Sequence, residues 1–203
     1  MALSTRTLAD QLRAKRSELM VSELEATALR LFETRGFGDV TVEDIAAEAQ
    51  ISVRTFYRYF PTKEAVFQLR IDRRAAALEE HLAARPDHES PWQSLRLALE
   101  QGVAEEDPDL LRRWVTVIAT TPAVVKGVLG GIQLKSQRVM ARFFGSRLGR
   151  PTDDLVPTML AAAAGGVIQA AHIHWYLNGG DLATHLSEAM EVLEHGLRPP
   201  GLD

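Results

Sequence analysis

Apolar residues recur along most of this chain at spacings of three and four, and they almost never alternate, so the pattern predicts helices and no strand. The first predicted helix runs from about Glu18 to Arg35, with Leu24, Ala28, Leu31 and Phe32 on one face, and Gly36 supplies its left-handed C-terminal position. Thr41 caps a short second helix with Asp44 three positions on, and Val42, Ile45, Ala46 and Ala49 form its apolar stripe. Ser52 caps a third helix, and Thr62, ahead of Lys63 and Glu64, caps a fourth that runs to about Ala84. Farther on, Ser90-Pro91, Asp107-Pro108 and Thr121-Pro122 each place a capping side chain before a proline suited to the first helical turn. Gly149 and Thr152 separate two further helices. Asn178-Gly179-Gly180-Asp181 ends a long one and starts the last, where Leu182, Leu186, Ala189, Leu193 and Leu197 keep the helical period. About nine helices are expected in an all-α fold.

Two short helices close behind the first make a compact N-terminal unit, and longer helices follow. The expected organisation is a flexible basic arm over residues 1–17, a helix-turn-helix domain over 18–62, and a larger helical domain over 63–203 for effector binding and dimerisation. Charge supports the division. Residues 1–74 carry 12 Lys/Arg against 11 Asp/Glu, residues 75–203 carry 11 against 16, and the first 17 residues alone are +3. With a net charge of −4 over 203 residues, nonspecific polyanion binding is disfavoured. The absence of cysteine excludes disulfides and thiolate metal sites, and no run of 18 apolar residues occurs, so a soluble cytoplasmic protein is expected, with no membrane partner.

Candidate chemistry concentrates in ISVRTFYRYFPTKEAV, residues 51–66. At about 100° per residue, Val53, Phe56 and Phe60 share one side of the third helix. Arg54 and Arg58 fall opposite, while Thr55, Tyr57 and Tyr59 flank the apolar stripe. Arg, Lys, Tyr and Ser/Thr side chains are the groups that hold phosphate backbones, and a short helix after a tight turn is the layout of a helix-turn-helix entering the major groove.

The stretch ALRLFETRGFGDVTVEDIAAEAQISVRTFYRYFPTKEAVF resembles the DNA-binding domain of the TetR family of bacterial transcriptional regulators. The RGF turn, T-x-x-D-I-A-x-x-A, S-x-x-T-x-Y-x-Y-F and the closing K-E all stand in register. The resemblance implies that Thr41 binds phosphate, that Ser52, Arg54 and Thr55 face bases or nearby phosphates, and that Tyr57, Tyr59 and Lys63 hold the backbone. The position of Arg54 varies in the family, which gives it the base-reading role. Gln50 departs from the glycine common at the turn, so a positive φ with mild strain is expected there.

Beyond residue 67 only the helical architecture is similar. The family pairs its last two long helices with their twofold mates, which implies a homodimer here; Ala161–Gly166 would allow close helix approach and Leu186, Ala189 and Leu193 would supply apolar surface, while an intramolecular core would use the same residues. The family also senses small molecules in the second domain, and Trp114, Phe143, Phe144, His172, Trp175 and Tyr176 are the candidates for lining that site, with Gln169 one turn from His172 as a polar partner; plain core or interface is the alternative for each aromatic. DPDLLRRWVTVIATTPAVV is similar to actinobacterial-style members of the family, some of which take acyl or other hydrophobic effectors. His172 and His174 lie two apart on a helix and diverge by about 200°, so no metal is assigned.

The implied function is a repressor that binds a palindromic double-stranded operator as a dimer and is released by a small hydrophobic effector. A module of the same fold that binds a ligand or protein partner without repressing, or that activates transcription, is the alternative. No G-x-S-x-G, Walker-type loop or carboxylate–His helix motif occurs, so neither a catalytic residue nor a cofactor is assigned.

Overall fold

The computed structural model describes the backbone of residues 8–121 and 130–196, and the side chains of 10–121 and 134–196. Nine α-helices and no strand occur among the described residues: α1 (Leu8–Arg35), α2 (Val42–Glu48), α3 (Val53–Tyr59), α4 (Ala65–Ala83), α5 (Pro91–Ala104), α6 (Pro108–Ala119), α7 (Gly130–Leu148), α8 (Leu155–Asn178) and α9 (Leu182–Glu194). Pro122, with the helix expected after it, and Leu197 lie outside the described residues; Thr121 is described, and its hydroxyl donates to the Val117 carbonyl at 2.8 Å.

The predicted caps form where the sequence places them. Ser52, Ser90, Asp107 and Asp181 each accept backbone N–H groups of the first turn of their helices, and Pro91 and Pro108 open α5 and α6. One start differs. The helix expected from Glu18 begins at Leu8, because no Pro, Gly or capping break interrupts residues 8–35, so the stretch 8–17, expected as a flexible arm, is helical. Leu12 on this extension and Leu19 just beyond it are exposed.

The chain divides into two compact units, residues 1–67 and 68–203. The core of the first unit is built from Leu24, Ala28, Leu29, Leu31 and Phe32 of α1, Val42, Ile45 and Ala46 of α2, Phe56, Phe60 and the first turn of α4. Phe32 stacks on Phe67 at 5.5 Å, and Phe37 meets both rings at 5.0 and 5.4 Å. This aromatic trio sits beneath the turn that joins α1 to α2.

In the second unit α8 packs chiefly against α7 and α9, and α9 against α5. One apolar cluster gathers Leu82, Leu95, Met140, Phe144, Ala161, Ala164 and Met190; another gathers Leu111, Ala171, Trp175, Leu182 and Leu186. These assignments correct the expected dimer surface on α9. Leu186 is buried within its own chain, and Ala189 and Leu193 pack against the same two clusters. The side of α9 turned to solvent carries Thr184, Glu188, Glu191 and His195, so the apolar period of α9 serves the intramolecular core.

Helix α8 is apolar on both sides. Pro157, Ala161, Ala164, Ala171 and Trp175 are buried, yet Leu155, Met159, Ala162, Gly166, Ala170, Ile173 and Leu177 line the opposite side and are exposed. Its mean hydropathy reaches 1.3 over 18 residues with only 22% of that window buried, which by length and composition alone would suit a membrane span.

Candidate nucleic-acid interface

The α2–α3 pair is joined by a turn with a specific backbone geometry. The Gln50 N–H donates to the Ala47 carbonyl at 3.1 Å, and the Ile51 N–H donates to the Ala46 carbonyl at 2.9 Å. This pattern is a Schellman termination, whose residue after the C-cap must be left-handed. Gln50 fills that position with φ 55°, the one positive φ outside glycine among the described residues. The expected strain is therefore present. Gln50→Gly should stabilise the first unit by roughly 0.5–1 kcal/mol, the relief of the left-handed penalty less the entropy glycine gives up. Gln50→Val should destabilise it by about 1–2 kcal/mol, both read from thermal unfolding.

Thr41 closes a full capping box. Its hydroxyl accepts the Asp44 N–H at 3.1 Å and donates to the Asp44 carboxylate at 2.7 Å, while its own N–H reaches the same carboxylate at 2.8 Å. The backbone N–H and hydroxyl of Thr41, and then Arg35 at 3.2 Å, lower the Asp44 carboxyl to about 2. Arg30 pairs with Glu48 at 2.6 Å. Two of the three acidic groups of α2, Asp44 and Glu48, are thus matched locally by α1 arginines.

Helix α3 has no acidic residue in its first turn and carries Arg54 and Arg58. Ser52 Oγ accepts the Thr55 N–H at 3.0 Å and shares a 2.8 Å hydrogen bond with Thr55 Oγ1, so both hydroxyls are fixed at the start of the helix. Phe56 and Phe60 are fully buried, as the helical spacing requires, while Tyr57 is half exposed and packs edge-on against Phe56 at 5.9 Å. Arg54, Thr55, Tyr57 and Arg58 line one open concavity of about 380 Å³ on the surface of α3.

Arg58 was not among the residues the sequence pattern selected, since the motif leaves its position open. The signal was available: Arg58 follows Arg54 by four residues and shares its face. Its guanidinium donates to Tyr59 Oη at 3.0 Å and lies 4.8 Å from that ring's centroid, which orders both side chains.

Lys63 behaves differently from the other six predicted residues. Its ammonium turns into the first unit, donates to the carbonyls of Phe37 and Val40 at 2.6 Å each, and sits 4.1 Å from the Phe37 ring centroid.

The predicted effector-lining residues have different surroundings. Trp114 is buried beneath the Arg70 guanidinium at 5.9 Å, and Phe143 packs on Phe144 and carries the Arg147 guanidinium over its ring at 5.2 Å. Gln169 is exposed beside the apolar face of α8, and Tyr176 is half-buried. Trp175, also singled out, is core: its indole N–H donates to the Gly180 carbonyl at 3.2 Å. Gln169 and His172, one turn apart on α8, differ in exposure: Gln169 is open to solvent, while the His172 ring lies beside Arg74.

His172 is held from two sides. Its Nδ1 lies 2.8 Å from the Ile168 carbonyl, which can only accept, so Nδ1 carries the proton and Nε2 is left to accept from Arg74 at 3.4 Å. Burial, then the Arg74 cation, lowers its pKa to about 4. Arg74 in turn pairs with Glu106 at 2.9 Å, as does Arg70 at 2.5 Å.

Comparison with known proteins agrees with the first unit's geometry. Residues 24–69 match the family model described as bacterial regulatory proteins, tetR family, and residues 89–198 match the MftR C-terminal domain. The chain is 30% identical over 173 residues to the Mycobacterium tuberculosis protein named as the mycofactocin biosynthesis transcriptional regulator MftR, covering 84% of this chain and 87% of that one. It is 29% identical to the HTH-type transcriptional regulator TcmR of Streptomyces glaucescens over 93% of this chain and 87% of the relative. Among solved structures, Thermus thermophilus FadR, a TetR-family repressor in complex with lauroyl-CoA, shares the fold with a TM-score of 0.56 at 22% identity, covering 90% of this chain and 99% of that one. A helix-turn-helix with an arginine-bearing second helix, followed by a helical domain that matches a regulator's C-terminal model over more than half the chain, has one meaning: the protein belongs to the TetR family of transcriptional regulators, DNA-binding proteins and not enzymes.

Proposed function

We propose that the protein is a cytoplasmic repressor that binds a palindromic operator as a homodimer and is released by a small hydrophobic effector. The observation that carries the DNA-binding half is the α3 surface, where Arg54, Thr55, Tyr57 and Arg58 surround one open concavity. In this reading Arg54 reads a base edge, Arg58 and Tyr59 act as an ordered pair on the backbone, and Thr41, Ser52, Thr55 and Tyr57 hold phosphates. Half-sites about one helical turn apart require two recognition helices, hence two chains.

The exposed face of α8 supports the dimer. Seven residues from Leu155 to Leu177 make an apolar stripe about 33 Å long at 1.5 Å per residue, which solvent does not favour. At its middle a side chain added to Gly166 would meet nothing within 4 Å, so a second helix can approach closely there. The fold that holds lauroyl-CoA in the Thermus protein supports an acyl or similarly apolar effector for the second unit, acting by shifting the population of DNA-competent dimers.

The test is selection of binding sites from a random duplex library, followed by variants on the enriched site. Arg54→Ala should lose about 1–3 kcal/mol at one base pair of each half-site and relax preference there, whereas Tyr57→Ala should weaken all duplexes alike. No enriched motif, or an equal loss across sequences for Arg54→Ala, would contradict the assignment. Ligands are scored by release of the bound duplex.

A further inference from the structure

We infer that Lys63 is a positioning residue for the helix-turn-helix and not a phosphate contact, an inference that rests on the DNA-binding reading above. Its ammonium has three N–H donors, and two are spent at 2.6 Å on the carbonyls of Phe37 and Val40. Those carbonyls belong to the turn between α1 and α2, which has no helix hydrogen bonds of its own to satisfy them. Phe37 is buried against Phe32 and Phe67, and Val40 is fully buried, so both ends of the turn are anchored in the core. The Lys63 charge lies 4.1 Å from the centroid of the Phe37 ring, where the aromatic face favours a cation.

The position of Lys63 gives this arrangement its consequence. It stands two residues before α4, in the segment that follows α3, and it reaches back 26 and 23 residues to the α1–α2 turn. The turn leads directly into Thr41, the cap of α2. One side chain therefore ties the exit of the recognition helix to the entry of the helix before it, closing the α2–α3 pair at its base. Phe60, fully buried, fixes the chain between Tyr59 and Lys63 on the same side. A lysine held this way sets how α3 is presented, and its charge is directed at backbone carbonyls of its own chain.

The two roles separate by salt dependence. A phosphate contact releases counterions, so losing one makes the plot of log affinity against log salt shallower by about one unit of slope, whereas losing a positioning residue leaves the slope alone. The experiment measures binding of the full chain to its selected duplex and to a scrambled duplex over a salt series, for the wild type, Lys63→Met and Lys63→Gln. Amide hydrogen exchange is followed over residues 37–48 of the same proteins. Lys63→Met is expected to weaken both duplexes at least tenfold with an unchanged slope and faster exchange in the α1–α2 turn. Lys63→Gln, whose amide still donates to one carbonyl, should recover part of the affinity and protection, and it keeps the comparison possible if the Met variant does not fold. A slope shallower by about one in either variant overturns the inference, as does unchanged affinity with unchanged exchange. If the wild type itself shows no salt-dependent duplex binding, the DNA-binding reading fails first, which is a different result from either.

Discussion

Met159→Glu combined with Ile173→Glu should convert the protein from dimer to monomer at micromolar concentration and lower operator affinity by 10²–10⁴-fold. The magnitude follows from bivalency: when two recognition units are joined, the second engages its half-site at a high effective concentration, and separating them removes that gain without touching a DNA contact. Both side chains are more than half exposed, so the substitutions add charge to a surface and leave the two apolar clusters beneath α8 intact. In a twofold interface each carboxylate is duplicated, and four buried charges would face an apolar stripe with no cationic partner on it. Sedimentation or light scattering reports the assembly, and circular dichroism reports that the helices remain. Retention of the dimer with full affinity would place the interface elsewhere and leave the apolar face of α8 unexplained.

Acidification from pH 7 to pH 4.5 should destabilise the second unit through His172 by roughly 2–3 kcal/mol. The folded-state pKa is about 4, from burial and the neighbouring Arg74, against an ordinary value of 6.5. Between those values the unfolded chain binds a proton that the folded chain refuses. Stability is therefore complete above about pH 6.5 and is lost as pH falls toward 4. The ring meets the Ile168 carbonyl at Nδ1 and the Arg74 guanidinium at Nε2, with Glu106 paired to Arg74 behind it, so a proton added at Nε2 would set an N–H against a donor-only cation. The carboxyls of Asp72, Asp154 and Asp181 are also held low, but they titrate below this window. Denaturant unfolding of the wild type and His172→Gln at pH 7 and 4.5 isolates the effect: the wild type should lose the difference and the variant should not. Parallel losses in the two proteins would mean that His172 is not the group responsible.

What the sequence could show depended on whether one helix settled the matter. The α3 faces were legible because an amphipathic helix of two turns leaves little choice: Phe56 and Phe60 had to go in and Arg54 had to stay out. The strain at Gln50 was legible for the same local reason, since the turn demands a left-handed residue whatever surrounds it. The caps at Ser52, Ser90 and Asp181 are equally local. Lys63 was not legible, because the carbonyls it meets are more than twenty positions away. Nor was the division of labour between α8 and α9. Both helices carry apolar residues at helical spacing, and only packing decides that Leu186 and Met190 are core while Leu155 and Ile173 face outward. The length of α1 was missed because this stretch gives no periodic signal; it is helical from residue 8, and none of residues 10–17 is buried.

The aromatics expected to line an effector site show the same dependence on packing. Large aromatics in helices built of small residues suggest a cavity wall, but Trp114, Phe143 and Trp175 each fill space beside an arginine, and the amphipathic ring serves as a platform for the cation.

The most direct test of a dimeric, operator-specific regulator is the salt dependence and stoichiometry of the wild type on its selected duplex. The prediction is two chains per duplex, with log affinity falling linearly as log salt rises and with the selected site bound at least 10³-fold more tightly than a scrambled one. A single chain per duplex, or equal affinity for the two sequences at every salt concentration, would contradict it.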